Sequence, residues 1–282
     1  MEKFKYFFSE DKIKWSGSRF MPTTIIPNLL NYSSNLQGWS DDLTDMHEEA
    51  TNGSHPIDVM SRSLTISTLN DIGNYINNKI VLEIGSSTGY LINDLLNKTN
   101  LKIIGSDIVN EPLVRLALSY PTVPFVRCDI SNNPFAEGSI GCVICLNVLE
   151  HIENDFLALQ NINQILHERG YLILELPFGS ELYDDFDRQL SHFRRYNSGD
   201  IISKSSMAGY EIVNVVYVGI LIYPIFYIYK KYISKFKKNE PSRLISNSSG
   251  IIFNIILKVE RFFLLSKFFH FGIRIRLILR KK

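Results

Sequence analysis

Between Glu83 and Asn147 the sequence spaces acids, small residues and an amide in a pattern that invites chemistry: Glu83, then Gly85-Ser86-Ser87-Thr88-Gly89, then Asp107, Asp129 and Asn147. The glycine-flanked run has two readings. As G-x-S-x-G it is the elbow that presents a nucleophilic serine, Ser87, on a strained turn between strand and helix. As a glycine-hinged loop it lets a nucleotide approach the backbone, because Gly85 and Gly89 admit dihedrals closed to other residues. The hydrolase reading lacks a glycine-rich oxyanion loop upstream and leaves Glu83 without a task. The dinucleotide fingerprint G-x-G-x-x-G would need a glycine at each of 85, 87 and 90, where the sequence has Gly85, Ser87 and Tyr90, so NAD is disfavoured. Glu83 suits a ligand with positive charge near the loop. Asp107, 24 residues further on, stands where an acid accepts from vicinal ribose hydroxyls. Asp129 is placed to meet an adenine edge, although alone it reads equally well as a helix cap.

Two histidines are candidate general bases. His151, in "VLEHIEND", reads more readily as a residue that orders its loop; His192 opens "HFRRY", whose Arg194, Arg195 and Tyr196 suit a phosphate or carboxylate on an acceptor. The same arginines are equally suited to pair with the acids of "ELYDDFD" just upstream. His55 and Arg62 are weaker candidates for closing a cleft. Cys142 and Cys145 form a C-x-x-C inside "IGCVICLN", a strand on which residues three apart face opposite ways, so they read as core and no metal site is expected.

The elements that must position these residues follow from periodicity. Apolar runs at 80–85, 101–107, 123–129, 140–147 and 170–177 alternate with helical segments, which predicts a doubly wound parallel sheet with its polar residues at the carboxyl rim. A sixth strand is predicted over 211–219. In "FGIRIRLILRKK" a seventh puts Ile273, Ile275, Leu277 and Leu279 on one face and Arg274, Arg276 and Arg280 on a wet one. Upstream, residues 55–76 space Ile57, Met60, Leu64, Ile72 and Ile76 as a helical stripe.

The series "VLEIGSSTGY", "GSDIVN", "RCDISNNPF", "CLNVLEHIEND", "GYLILELP" and "SHFRRYNSGDIISKSSMAGYEIV" resembles the successive motifs of class I S-adenosylmethionine-dependent methyltransferases, in their type 11/23-like branch, over residues 80–219 and again from about 271. The resemblance implies an α/β, Rossmann-like methyltransferase fold: a mostly parallel seven-stranded sheet with an antiparallel last strand. An N-terminal helical cap would occupy 1–78, the core 79–219, a helical insertion 220–270 and the last strand 271–282. It implies S-adenosyl-L-methionine as cofactor. Glu83, Gly85, Ser87 and Gly89 would shape the methionine side, Asp107 and Ile108 the ribose side, and Asp129 with Ile130 the adenine side. Asn147 and Val148 would line the pocket from the fourth strand. Ser87 replaces the middle glycine common in such loops, and Gly141 stands where the family often has Asp; serine is small enough for the turn.

The net charge of +1 hides a split. Residues 1–219 hold 16 Lys+Arg against 27 Asp+Glu, whereas 220–282 hold 14 against 2. Such a tail faces something anionic. It is too apolar for a nucleic-acid surface, and Pro224 together with the need to return the last strand to its sheet argues against a span. Two short apolar helices rich in Lys and Arg suit an anchor lying on an anionic membrane surface through 220–270, with homodimerisation or a lid as the alternative. The mixed charges of the N-terminus predict no secretion, hence a cytoplasmic protein peripheral at the inner face of the membrane. The expected acceptor is a lipid-linked or saccharide-type intermediate; the alternatives are a soluble small molecule or a non-catalytic cofactor-binding scaffold.

Overall fold

The computed structural model describes residues 13–16, 20–21, 24–32, 55–233, 259–260 and 270–282. Most of the insertion, with Asn254, Lys258 and Arg261, and the acidic stretch 39–53 lie outside them. The core is an eight-stranded sheet in the order β3-β6-β5-β4-β7-β8-β10-β9. Here β3 is Leu29–Asn31, β4 Ile80–Ile84, β5 Lys102–Asp107, β6 Phe125–Arg127, β7 Ile140–Leu146, β8 Leu166–Pro177, β9 Tyr210–Val218 and β10 Arg274–Lys281. β10 runs antiparallel to both neighbours, and the pairs β3–β6, β6–β5, β5–β4, β4–β7 and β7–β8 are parallel. A separate ribbon pairs β1 (Lys14–Trp15) with β2 (Phe20–Met21).

β4 is buried along its whole length, as its uninterrupted apolar run requires of a strand covered on both faces. On one side it meets α1 (Pro56–Asp71), α3 (Tyr90–Lys98) and α4 (Glu111–Ser119) through Leu69, Ile92, Leu95 and Leu113. On the other, α5 (Asp155–Ile165) and α7 (Ser198–Met207) bring Leu159, Ile162 and Ile201. Cys142 and Cys145 fall into these two different clusters, and burial pushes both thiols well up.

Three findings correct the sequence reading. β3 adds an eighth strand to the expected seven, parallel to β6; Asn28 secures it by donating to the carbonyls of Ala117, Tyr120 and Val123. The helix expected over 55–76 ends at Asp71 and resumes only as the short α2 (Gly73–Ile76). Its buried face holds Ser61 and Thr65 alongside Ile57, Met60 and Leu69, while Leu64 and Ile72 stay half-buried.

The third correction explains the second. The arginine face of β10 is not wet over Arg274 and Arg276, where α1 covers it; Arg280, paired with Glu211, stays partly exposed. Arg276 is buried and donates from Nε to Glu175 of β8 at 2.7 Å, from Nη1 to Thr65 at 3.0 Å and from Nη2 to the Ser61 carbonyl at 2.7 Å. Arg274 bridges Glu175 at 3.1 Å and Asp58 at 2.5 Å. The two guanidiniums hold the Glu175 carboxyl below its ordinary value despite complete burial. A period-2 pattern reports which residues share a face, not whether a helix lies over it.

After β9, Pro224 opens rather than breaks a helix: α8 spans Tyr223–Ile228 and passes into a wider π turn at Tyr229–Ile233. Glu260 folds back here and accepts from the backbone N–H groups of Gly219, Ile220 and Leu221 at 2.6, 3.0 and 3.4 Å. Among the described residues no helix is long and apolar enough to cross a membrane.

Candidate active site

The carboxyl ends of β4, β5 and β7 converge on the glycine-hinged loop, 85–89. Gly85, Ser87 and Gly89 all take positive φ, 80°, 44° and 82°. A Cβ on Gly85 would run into the Val148 side chain, and one on Gly89 into Leu116, so both glycines are required by φ and by space. The loop is stitched to β5 by the N–H groups of Gly85 and Ser86, which donate to the Ser106 carbonyl at 2.8 and 3.0 Å.

Two acids flank it. Asp107 accepts from the N–H of Ser87 at 2.8 Å, of Ile108 at 2.7 Å and of Val109 at 3.2 Å. The backbone of Ser87 thus serves to place this acid, a turn residue's task rather than a nucleophile's. Glu83 is buried, and among the described residues its Oε2 lacks a hydrogen-bond partner. Burial pushes its carboxyl up to about 8, with the Asp107 charge adding to the rise and the neighbouring Ser86 hydroxyl opposing it. A buried carboxyl with an open acceptor, ready to ionise when a positive charge comes beside it, next to a cradle with no room for Cβ atoms, fits a ligand bearing a cation.

The residues expected on the adenine side, Asp129 and Ile130, follow β6. Asp129 accepts from the Ser131 N–H at 2.8 Å, and Ile130 is buried, its carbonyl held by Asn133. Asn147, just past β7, has φ 53° and donates its N–H to the Glu175 carbonyl at 2.9 Å. Through Glu175 the site is thus joined to the buried arginines and to α1. Val148 is the residue against which Gly85 is pressed.

His151 and His192 lie together, their ring centroids 4.6 Å apart and nearly perpendicular. His151 ends a 3-10 turn, Leu149–His151; His192 follows α6 (Asp185–Gln189). His192 Nδ1 is 3.0 Å from Asp187, yet burial holds its pKa below the ordinary value. Asp187 also accepts from Arg195 at 2.8 Å and from Lys230 at 3.0 Å, and these partners hold it well below the usual carboxylate range despite its burial. Arg195 is therefore engaged by an acid of "ELYDDFD". Tyr196 is buried with its hydroxyl on Asp155 at 3.0 Å. Arg194 also reaches Asp155, at 3.1 Å, but stays partly exposed. Of the three residues expected to bind an acceptor, only Arg194 presents itself to solvent. Arg62 pairs with Asp94 at 2.9 Å on α3, and His55 lies 3.9 Å from Asp58.

Sequence reasoning misses Glu150, which is 1% exposed, with Oε2 lacking a hydrogen-bond partner among the described residues and its carboxyl pushed up to about 8 by burial. Asp187 enters that reasoning only as one of the acids of "ELYDDFD", without being singled out. Glu150 stands directly before His151, the one signal that points to it.

Residues 82–174 match the family model described as a methyltransferase domain. A curated relative from Mycolicibacterium smegmatis, named "Probable S-adenosylmethionine-dependent methyltransferase/", is 23% identical over 134 residues, 47% of this chain. The match spans about half of that relative, 52% of its length. Among solved structures, a SAM-dependent methyltransferase from Archaeoglobus fulgidus aligns with a TM-score of 0.52 at 16% identity, covering 84% of this chain and 99% of that one. The 1,6-didemethyltoxoflavin-N1-methyltransferase of Burkholderia thailandensis, solved with 1,6-didemethyltoxoflavin and S-adenosylhomocysteine, aligns with 0.52 at 13% identity, covering 85% and 87%. Likeness at these identities is a likeness of fold.

Proposed function

We infer, for a chain that belongs through residues 82–174 to the class I S-adenosylmethionine-dependent methyltransferases, that it binds this cofactor over the Gly85–Gly89 loop and transfers its methyl group to an acceptor at the sheet rim. The observation that carries the reading is the open, buried carboxylate of Glu83 beside that loop. The cofactor supplies a methyl group already activated on a sulfonium. What the chain supplies is placement: Glu83 toward the ammonium, Asp107 toward the ribose hydroxyls, Ile130 and Asp129 around the base. Asn147 and Val148 close the reacting end. In-line placement of two reactants lowers a barrier by about 7–11 kcal/mol, so a displacement of this kind asks little else of the protein. His192, neutral because burial depresses its pKa, is able to take a proton where the acceptor is a hydroxyl.

The acceptor we favour is an amphiphile met at a membrane surface, a lipid-linked or saccharide-type intermediate. Support comes from the basic tail and from α8, where Ile225, Ile228 and, just beyond, Tyr232 are exposed. Part of the tail's charge is spent internally, since Lys230, Arg274, Arg276 and Arg280 pair with acids from the first 219 residues. The lysines at 235, 237 and 238 therefore carry the test. Calorimetric titration with S-adenosylmethionine tests the cofactor; absence of binding ends the methyltransferase reading. Flotation with anionic liposomes, repeated after changing Lys235, Lys237 and Lys238 to Glu, tests the surface. Unchanged flotation removes the electrostatic anchor, and a dimer in solution would favour the soluble-acceptor alternative.

A further inference from the structure

We propose that Glu150, His151 and His192 form a binding site for a divalent first-row metal ion, held in place by Asp187. Each offers one ligand atom, and these atoms lie within 4.8 Å of one another. An ion with bonds of about 2.0–2.2 Å spans ligand atoms up to roughly 4.2 Å apart, so small side-chain rotations close the set. Two imidazoles and one carboxylate are a donor set for Zn²⁺, Mn²⁺ or Fe²⁺, and leave positions open for an acceptor or water.

Independent observations point the same way. Glu150 is 1% exposed and, among the described residues, its Oε2 has no hydrogen-bond partner, a buried acceptor position that a donor or a cation would satisfy. The His192 Nδ1 is 3.0 Å from the Asp187 carboxylate, the outer hydrogen bond that fixes a ligating imidazole's tautomer and turns its other nitrogen toward a metal. The backbone fixes the rest: the Phe193 N–H donates to the Glu150 carbonyl at 2.8 Å, the His192 N–H to the Asp187 carbonyl at 2.9 Å, and the Tyr183 hydroxyl to the His192 carbonyl at 2.7 Å. Two distant loops are thereby clamped with their ligand atoms facing. Arg195 and Lys230 also bond Asp187, yet neither is part of the triad. Sequence spacing draws attention only to the cysteines, which is why no metal is expected from it.

Val148, two residues before Glu150, packs on Gly85, which puts the site on the same rim as the cofactor loop. An ion there would bind an acceptor's hydroxyl or carboxylate oxygen and, by occupying His192, would take over from it the activation of a hydroxyl; that role rests on the methyltransferase reading, whereas metal binding does not.

The test uses the full chain, stripped with a chelator and titrated with Co²⁺ by calorimetry and visible absorption. The wild type is expected to take one equivalent and show d–d bands. Glu150→Gln and His192→Gln should each weaken binding at least tenfold, and Asp187→Asn by about 10–100-fold. Glu150→Gln keeps the shape of a buried acid that burial disfavours in its charged form and should fold at least as stably as wild type, which protects the test from a trivial loss of structure. Wild-type binding that is absent, or equal in Glu150→Gln and His192→Gln, overturns the proposal. Titrating the same metal-free samples with S-adenosylmethionine separates the two readings: Co²⁺ bound without cofactor defeats the function alone, and cofactor bound without Co²⁺ defeats the site alone.

Discussion

The Asp107 carboxylate accepts the Ser87 N–H at 2.8 Å, so the acid at the end of one strand fixes the loop that follows its neighbour. Asp107→Ala leaves three backbone donors without their acceptor and removes the proposed ribose contact. Hydrogen bonds to charged groups contribute about 1.5–3 kcal/mol each, so S-adenosylmethionine affinity should fall by roughly 100-fold or more in calorimetry. An affinity within threefold of wild type would contradict the assignment.

The same loop distinguishes Ser87 as a nucleophile from Ser87 as a turn residue. Ser87→Ala keeps the N–H that Asp107 uses and should retain binding and turnover within a few-fold. Ser87→Gly relieves a left-handed φ of 44° and should not lower the melting temperature, since a non-glycine residue there costs about 1 kcal/mol. Gly85→Ala is the opposite case: its Cβ meets Val148, and cofactor binding should be lost. Full loss of activity in Ser87→Ala with cofactor binding intact would revive the nucleophile.

The strand rims are legible in the sequence because parallel strands buried on both faces read as unbroken apolar runs, and the polar residue ending each run marks the rim. Glu83, Asp107 and Asn147 follow from order alone. What escapes is everything set by contacts between distant segments. The burial of Arg276 depends on α1 crossing β10, and the meeting of Glu150 with His192 depends on two loops that no period connects. The pairing of Arg195 with Asp187 is one of two open readings, because adjacency in sequence names the neighbours without naming which way a side chain turns. β3 is three residues long, too short for alternation to show.

The buried Arg276–Glu175 pair should be costly to break from one side. Arg276→Leu leaves Glu175 with Arg274 and the Ser61 hydroxyl, and takes from Thr65 and the Ser61 carbonyl the donor they share in Arg276. Removing one partner of a buried pair costs about 3–5 kcal/mol, read as a shift in the urea midpoint at unchanged slope. A loss below 1 kcal/mol would show that α1 is not held by this network.

Glu83 makes stability depend on pH with an unusual sign for a carboxylate. Folded, it keeps its proton up to about pH 8; unfolded, it releases it near the ordinary 4.5. Between those values the folded state holds more protons, so this contribution to stability is fully present below pH 4.5 and is lost as pH rises through 8. Glu83→Gln cannot ionise, and its stability relative to wild type should grow from about pH 5 to about pH 8.5 in urea unfolding. Cofactor binding supplies the complementary measurement. An ammonium beside Glu83 favours the ionised acid, so at neutral pH binding should release close to one proton, seen as a binding enthalpy that varies with the buffer's heat of ionisation. Glu83→Gln should abolish that dependence; a variant that still releases the proton would place its source elsewhere in the site.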